Sequence, residues 1–262
     1  MTRAVEFLDP DAHENRAEPR TGAWSNEPMP SEEPRRNEFG QTIGRPVTWT
    51  VRPAVVPVTL VGEHVRLEPW GPRFLEDLYA STVTGSPAST WTYLATPPLD
   101  SPDGLGQWLD GLDADPGAVP LVLCRPDGRA VGTASYLRLD HLNGSVEVGA
   151  IAYAAELQRT TAATEAMYLM MRHAFDDLGY RRYEWKCDSM NAPSRRAAQR
   201  LGFTYEGTFR NALVYKGRNR DTDWFSITDD EWPAVRSALE GWLAPDNQPG
   251  GTQERSLEQF RA

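Results

Sequence analysis

Two short stretches of this chain place small residues beside hydroxyl and amide side chains where a helix is expected to begin. The first, QRTTAAT at 158–164, follows a strand-like run and opens the strongest helical periodicity in the sequence. Small side chains there let a ligand approach the backbone, and the exposed N–H groups and dipole of a helix start suit a diphosphate. Arg159 adds a cation, Thr160, Thr161 and Thr164 add hydroxyl donors, and Gln158, Ala162 and Ala163 complete the junction. Plain helix capping is the competing use of the threonines. The second stretch, Asn191-Ala-Pro-Ser194, also comes directly after a strand-like run. An Asn amide both donates and accepts, and a Ser hydroxyl can give a proton locally. Capping is again the rival use. A third run, Leu201-Gly-Phe-Thr-Tyr-Glu-Gly207 followed by Arg210, speaks by itself only of a helix stop, a buried aromatic and a turn.

These stretches need a folded frame, and the composition allows one. Of 262 residues, 40% are hydrophobic and 24% charged, which excludes a wholly disordered chain. The net charge of −10 disfavours a general affinity for nucleic acid or for an anionic membrane. The charge is uneven: between 181 and 220 ten bases stand against three acids. That segment is either a local anion site or a solvated face paired with the acidic remainder. No run of about 18 apolar residues is present, so nothing reads as a bilayer span. The first residues carry no continuous apolar leader core. A cytoplasmic protein is expected. Cys124 and Cys187 give neither a disulfide framework nor a metal spacing, and the four histidines are scattered, so no metal site is expected.

The frame itself is an α/β domain. Residues 1–36, rich in proline and charge, read as a disordered tail, 37–244 as the domain with its core from about 55, and 245–262 as a flexible tail. Within the core a strand at 64–69 precedes helical spacing at 72–81 and a second helix opened by Ser101-Pro102. Strands at 119–124, 130–139 and 145–153 are joined by the turn signals Pro126-Asp-Gly and Asn143-Gly, which imply antiparallel pairing. The long helix at 162–178 repeats apolar residues every three or four positions until Gly179. A strand at 181–187, a helix at 191–201, strands at 203–206 and 224–228, and a last helix from 231 capped by Asp230 complete the order.

In their order and spacing, the 158–164 loop, Asn191-Ala-Pro-Ser194 with Arg195, Arg196 and Ala197, and Leu201-Gly-Phe203 with Glu206-Gly207 and Arg210 resemble the GNAT acetyltransferases. The nearest branch is that of the ribosomal-protein N-terminal acetyltransferases, and the resemblance covers about 60–245. It implies a mixed, mostly antiparallel sheet flanked by helices. It also implies transfer of an acetyl group from acetyl-CoA, as co-substrate, to a primary amine of a small molecule or a protein N-terminus, by direct attack. The alternative is a catalytically inactive CoA-binding or scaffolding protein of the same fold. Homodimers are common in that family, although no residue of this chain singles one out.

The family's loop pattern, Gln/Arg-x-x-Gly-x-Gly/Ala, fits at Gln158 and Ala163, while Thr161 stands where glycine is expected. A residue with a Cβ tolerates positive φ poorly, so the loop must keep φ negative there, or Thr161 gives its hydroxyl to a phosphate. The resemblance makes Glu147 the carboxylate that draws the amine proton away, through water, with an exposed strand glutamate as the rival reading. It makes Ser194 the group that protonates or hydrogen-bonds the leaving thiolate, and sets Asn191 on the pantetheine arm. Ile151, Ala152 and Tyr153 would offer backbone groups to the pantetheine, and Arg195 or Arg196 would reach the phosphates. Trp91 and Tyr93 would line an amine pocket, unless they pack among the first two helices.

Overall fold

Residues 35–261 are described in a computed structural model. The chain divides into two units, Met1–Trp49 and Thr50–Ala262. The tail expected over 1–36 lies outside the described residues except for its last two. In the first unit Arg35–Arg36 (β1) pairs antiparallel with Thr42–Ile43 (β2).

The second unit is built on eight strands: β3 (Leu60–Val61), β4 (Arg66–Pro69), β5 (Ala118–Cys124), β6 (Ala130–Asp140), β7 (Ser145–Tyr153), β8 (Arg182–Asp188), β9 (Thr204–Tyr215) and β10 (Arg218–Thr228). They lie in the order β3-β4-β5-β6-β7-β8-β10-β9. The β7–β8 pair is parallel and every other pair is antiparallel. The helices are α1 (Leu75–Leu78), α2 (Pro102–Asp113), α3 (Thr161–Arg172), α4 (Ala192–Leu201) and α5 (Trp232–Leu243).

Alternation along the strands gives the sheet two unlike faces. Tyr136, Val146, Val148, Tyr183, Trp185, Phe225 and Ile227 join the large core that includes residues of α3, α4 and α5. Phe175 stacks on Trp232 at 5.0 Å and ties the end of the long helix to the start of α5. On the other face, Val122, Cys124 and Ala130 cluster with Phe74, just before α1, and with Leu78, Leu105 and Leu109 of the first two helices. Beyond β6 this second face turns polar and carries Glu147, Glu184 and Lys186.

Local rules explain most boundaries. Ser101 caps α2, accepting from the Gly104 N–H at 3.1 Å, with Pro102 in the first turn. Gly202 ends α4 in the left-handed conformation at φ 105°. Asp230 does not cap α5. Glu231 precedes the helix without a capping bond, and its carboxylate turns back to accept from the N–H of Thr228 at 2.8 Å.

Two further expectations are corrected. The strands expected at 203–206 and 224–228 are a long hairpin, β9–β10, closed by Lys216-Gly217, both at positive φ (49° and 69°). Residues 245–261 are not a loose tail. Leu257 is buried, Asn247 donates to the carbonyls of Trp242 and Arg255, and Arg261 donates to the carbonyl of Gln199.

Candidate functional site

β7 and β8 are joined by the crossover that contains α3, and their ladder is short. Pairing runs from Ser145↔Arg182 to Val148↔Trp185 and stops, although β7 continues to Tyr153 and β8 to Asp188. A bulge marks the parting. The β6 register steps from Ser135↔Gly149 to Thr133↔Ala152, three residues of β7 against two of β6, with Ala150 at φ 49°. Ala154 N–H donates to the Val131 carbonyl, so strand alternation turns the N–H and C=O of Ile151 and Tyr153 away from β6 and into the gap. Ala152 points its backbone the other way, toward Thr133. The Tyr153 carbonyl is taken by the Gln158 side-chain amide at 3.1 Å.

The helix start lies just beyond. Arg159 carries the strained left-handed turn, at φ 62°, so Thr161 needs no glycine-like conformation and is the first residue of α3. Thr160 is the cap: its Oγ1 accepts from the Ala163 N–H at 3.2 Å and donates to the Leu157 carbonyl at 2.7 Å. Ala162 and Ala163 pack partly against the core. Thr164 is buried and receives Arg200 Nη1 at 3.0 Å, so its hydroxyl belongs to the packing of α3 on α4 and is not presented at the loop. Thr161 Oγ1 donates to Gln248 Oε1 at 3.1 Å.

At the start of α4, Asn191 is a true cap, its Oδ1 accepting from the Ser194 N–H at 3.2 Å. Ser194 Oγ accepts from the Trp185 indole N–H at 2.9 Å, which leaves its own hydrogen to be donated. It also lies against Cys187, whose thiol burial pushes up to about 11, with Ser194 as the first opposing influence. Arg195 is committed to Asp223, Nε to Oδ2 at 2.7 Å, an acid buried in β10. Trp185, in the strand read at 181–187, was not singled out by the sequence; its indole orients Ser194.

Glu147 is not an exposed strand glutamate. Its side chain is about one-tenth exposed and meets Lys186 Nζ at 3.0 Å and Arg138 Nε at 3.6 Å. Lys186 also meets Glu184 at 2.6 Å and sits 3.6 Å from the centre of the Trp224 ring. Burial raises the Glu147 carboxyl above its ordinary value, and Lys186 is the main influence holding it down. Glu184, bridged by Lys186 and Arg182, is held below its ordinary value although its own burial acts the other way.

Comparisons with known proteins give the family of this fold. The Acetyltransferase (GNAT) domain model covers residues 64–204. A GCN5-related N-acetyltransferase from Brucella melitensis superposes with a TM-score of 0.79 at 40% identity, over 82% of this chain and 98% of that one. The chain belongs to the GNAT acetyltransferase family. It is also similar to a protein named "Putative ribosomal N-acetyltransferase YdaF" of Bacillus subtilis, 30% identical over 40% of this chain and 57% of that protein. N-acetyltransferase p20 of Bacillus licheniformis, named as uncharacterized, is 28% identical over 42% of this chain and 62% of that protein. The chain thus spans about three fifths of the length of these two relatives. The family is one of acetyl-CoA-dependent N-acetyltransferases with a mixed sheet flanked by helices, as observed here.

On this GNAT frame the two aromatics expected at the amine pocket separate. Trp91 is core: it is 2% exposed, donates from Nε1 to the Thr82 carbonyl at 3.2 Å and meets Trp108 edge-on at 5.8 Å. Tyr93 lies next to the start of α4, its hydroxyl donating to the Met190 carbonyl at 3.0 Å, one residue before Asn191. The hairpin tip arrives from the other side, with Lys216 Nζ on the Trp91 carbonyl at 2.6 Å and Arg218 Nη2 on the Thr92 carbonyl at 3.3 Å. Much of the basic run therefore has protein partners, among them Glu184 and Glu206 for Arg182. Among the described residues no cluster of histidine, cysteine or acid could hold a metal, and no helix is long and apolar enough to cross a membrane.

Proposed function

We infer that this protein transfers an acetyl group from acetyl-CoA to a primary amine, carried by a small molecule or a protein N-terminus. The observation that carries the reading is the gap between β7 and β8, with the backbone groups of Ile151 and Tyr153 turned into it. The start of α3 lies at one end of that gap and Ser194 beside it. The inward N–H groups suit the pantetheine amides and an oxyanion formed near Ile151. The Thr160-capped helix start with Arg159 suits the diphosphate. Asn191 lies toward the pantetheine arm.

In the reaction the neutral amine nitrogen attacks the thioester carbonyl carbon, a C–N bond forms and the C–S bond breaks. The amine proton passes through water to Glu147, which burial makes more basic than an exposed glutamate. The leaving CoA thiolate is met by the Ser194 hydroxyl, aligned for donation by the Trp185 indole, which hydrogen-bonds it or passes it a proton that water restores to Ser194. A cytoplasmic location follows from the co-substrate. A catalytically inactive CoA-binding protein is the second reading, and one observation favours it: Glu147 is already ion-paired with Lys186.

Isothermal titration of acetyl-CoA and CoA, followed by thiol-release assays over amines and peptide N-termini, separates the readings. Micromolar binding with turnover is expected. Binding without turnover on any acceptor would favour the second reading, and no binding at hundreds of micromolar would remove both.

A further inference from the structure

The C-terminal segment after α5 has no part in the reaction just described, yet Gln248 near its start rests on the first turn of α3. Thr161 Oγ1 donates to Gln248 Oε1 at 3.1 Å, and Gln248 Nε2 donates to the Trp242 carbonyl at 3.4 Å. The turn that carries Gln248 is itself fixed. Buried Asn247 donates to the carbonyls of Trp242 at 2.9 Å and Arg255 at 3.2 Å, and accepts from the Arg255 N–H at 2.9 Å. The segment is then pinned by buried Leu257 and by Phe260, whose ring lies so close to Gly241 that a Cβ there would come within 2.8 Å. One helical turn along α3, Thr164 is held from α4 by Arg200, whose guanidinium lies 4.8 Å from the centre of the Trp242 ring. The first turn of α3 is thus gripped at its first and fourth residues, and both grips lead back to Trp242.

We propose that Gln248 is a positioning residue for the CoA diphosphate: it fixes the helix start that carries Thr161 in place of the family's glycine. The first N–H groups of a helix have no partner within it, and a helix end frays. An anion gains from them only if they are held in place, and a threonine hydroxyl left free would compete for the same space. Gln248 takes up that hydroxyl and ties the turn to a buried frame. The inference rests on the acetyltransferase reading.

The test is titration of CoA into the full chain and into Gln248→Glu and Gln248→Ala variants, with thermal unfolding of each. Gln248→Glu keeps an acceptor for the Thr161 hydroxyl, and a carboxylate suits a helix N-terminus, so its Tm is expected to hold or rise. Its charge beside the diphosphate should raise the CoA Kd about tenfold at low salt. That penalty should shrink as salt is raised, which a purely structural role would not produce. Gln248→Ala, which only frees the turn, should weaken CoA about threefold with no change in salt dependence. Wild type binding CoA, with Gln248→Ala binding it as tightly, would overturn this inference alone. A wild type that does not bind CoA would overturn the acetyltransferase reading and this inference with it.

Discussion

Replacing Lys186 by methionine tests whether the Glu147 cluster is built as described. Lys186 has a side chain only 6% exposed and stands between Glu147 at 3.0 Å and Glu184 at 2.6 Å, which face each other in the parallel register. Methionine keeps most of the packing against Trp224 but removes the charge, leaving two buried carboxylates side by side. Removing one partner of a buried ion pair costs about 3–5 kcal/mol. Arg182 still serves Glu184 and Arg138 still serves Glu147, so the loss should fall at the lower end, about 3 kcal/mol. For a unit of this size that corresponds to a Tm fall of roughly 6–12 °C at neutral pH.

The pH dependence has a definite sign. Glu147 has its folded carboxyl raised above 4.5, so the folded protein keeps a proton that the unfolded chain releases, and this group lowers stability as pH rises through that window. Glu184 is the opposite case: its lowered value adds stability above the unfolded pKa that is lost as pH falls through the folded one. Without Lys186 the Glu147 window extends upward and the Glu184 contribution shrinks. The variant should therefore lie furthest below wild type near neutrality and closest to it near pH 5. Thermal unfolding of Lys186→Met between those limits, with Lys186→Met/Glu147→Gln alongside, measures it. The double variant should recover about half of the loss. A Tm fall of less than about 2 °C, or a deficit unchanged by pH, would refute the account of the cluster.

Three further outcomes follow from the site. Glu147→Gln should lower kcat by about 10²-fold, most at low pH where amine deprotonation is hardest; an unchanged pH–rate profile would remove Glu147 as the base. Ser194→Ala should cost kcat roughly tenfold, since a thiolate leaves well without help, and lower stability by about 1 kcal/mol because the Trp185 indole loses its acceptor. An unchanged kcat would remove the acid role. Trp91→Ala should cost about 3–5 kcal/mol of stability, read as a Tm fall. A stable variant with only a raised acceptor KM would return Trp91 to the pocket wall.

What could be read from the sequence divides by the range of the interaction. The strand at 145–153 and the caps Ser101, Thr160, Asn191 and Gly202 are local facts, decided by residue type within a few positions, and they stand where the pattern places them. The β9–β10 hairpin hid because Arg210, Asn211, Asn219 and Asp221 give it no apolar alternation. Its partner strand, not its own surface, holds β9 in the sheet. The packed C-terminal segment hid for a similar reason: Asn247, Gln248 and Leu257 read as polar tail with one stray leucine until the fold brings α5 beneath them. Lys186 was visible only as one base in the 181–220 run. Its burial depends on Glu147 of β7, thirty-nine residues earlier. Charge pairs across strands of distant sequence leave no local trace.

The site's location follows from the topology. Hairpin-connected strands are held together at their turns, as β5–β6 and β6–β7 are. A parallel pair has no such turn; its ends are joined only through the crossover. The eight-stranded sheet has one parallel joint, β7–β8. The bulge at Ala150 uses that freedom: it swings the end of β7 off β8 and turns Ile151 and Tyr153 into the space. The crossover must also begin where β7 ends, so the start of α3 necessarily lies beside the gap. The same holds for α4, which begins just past the end of β8. A gap lined by peptide groups without a strand partner and flanked by two helix starts is therefore a consequence of one parallel pair parting early. The individual residues, Ser194 under Trp185 and Glu147 under Lys186, then fit that opening to its chemistry.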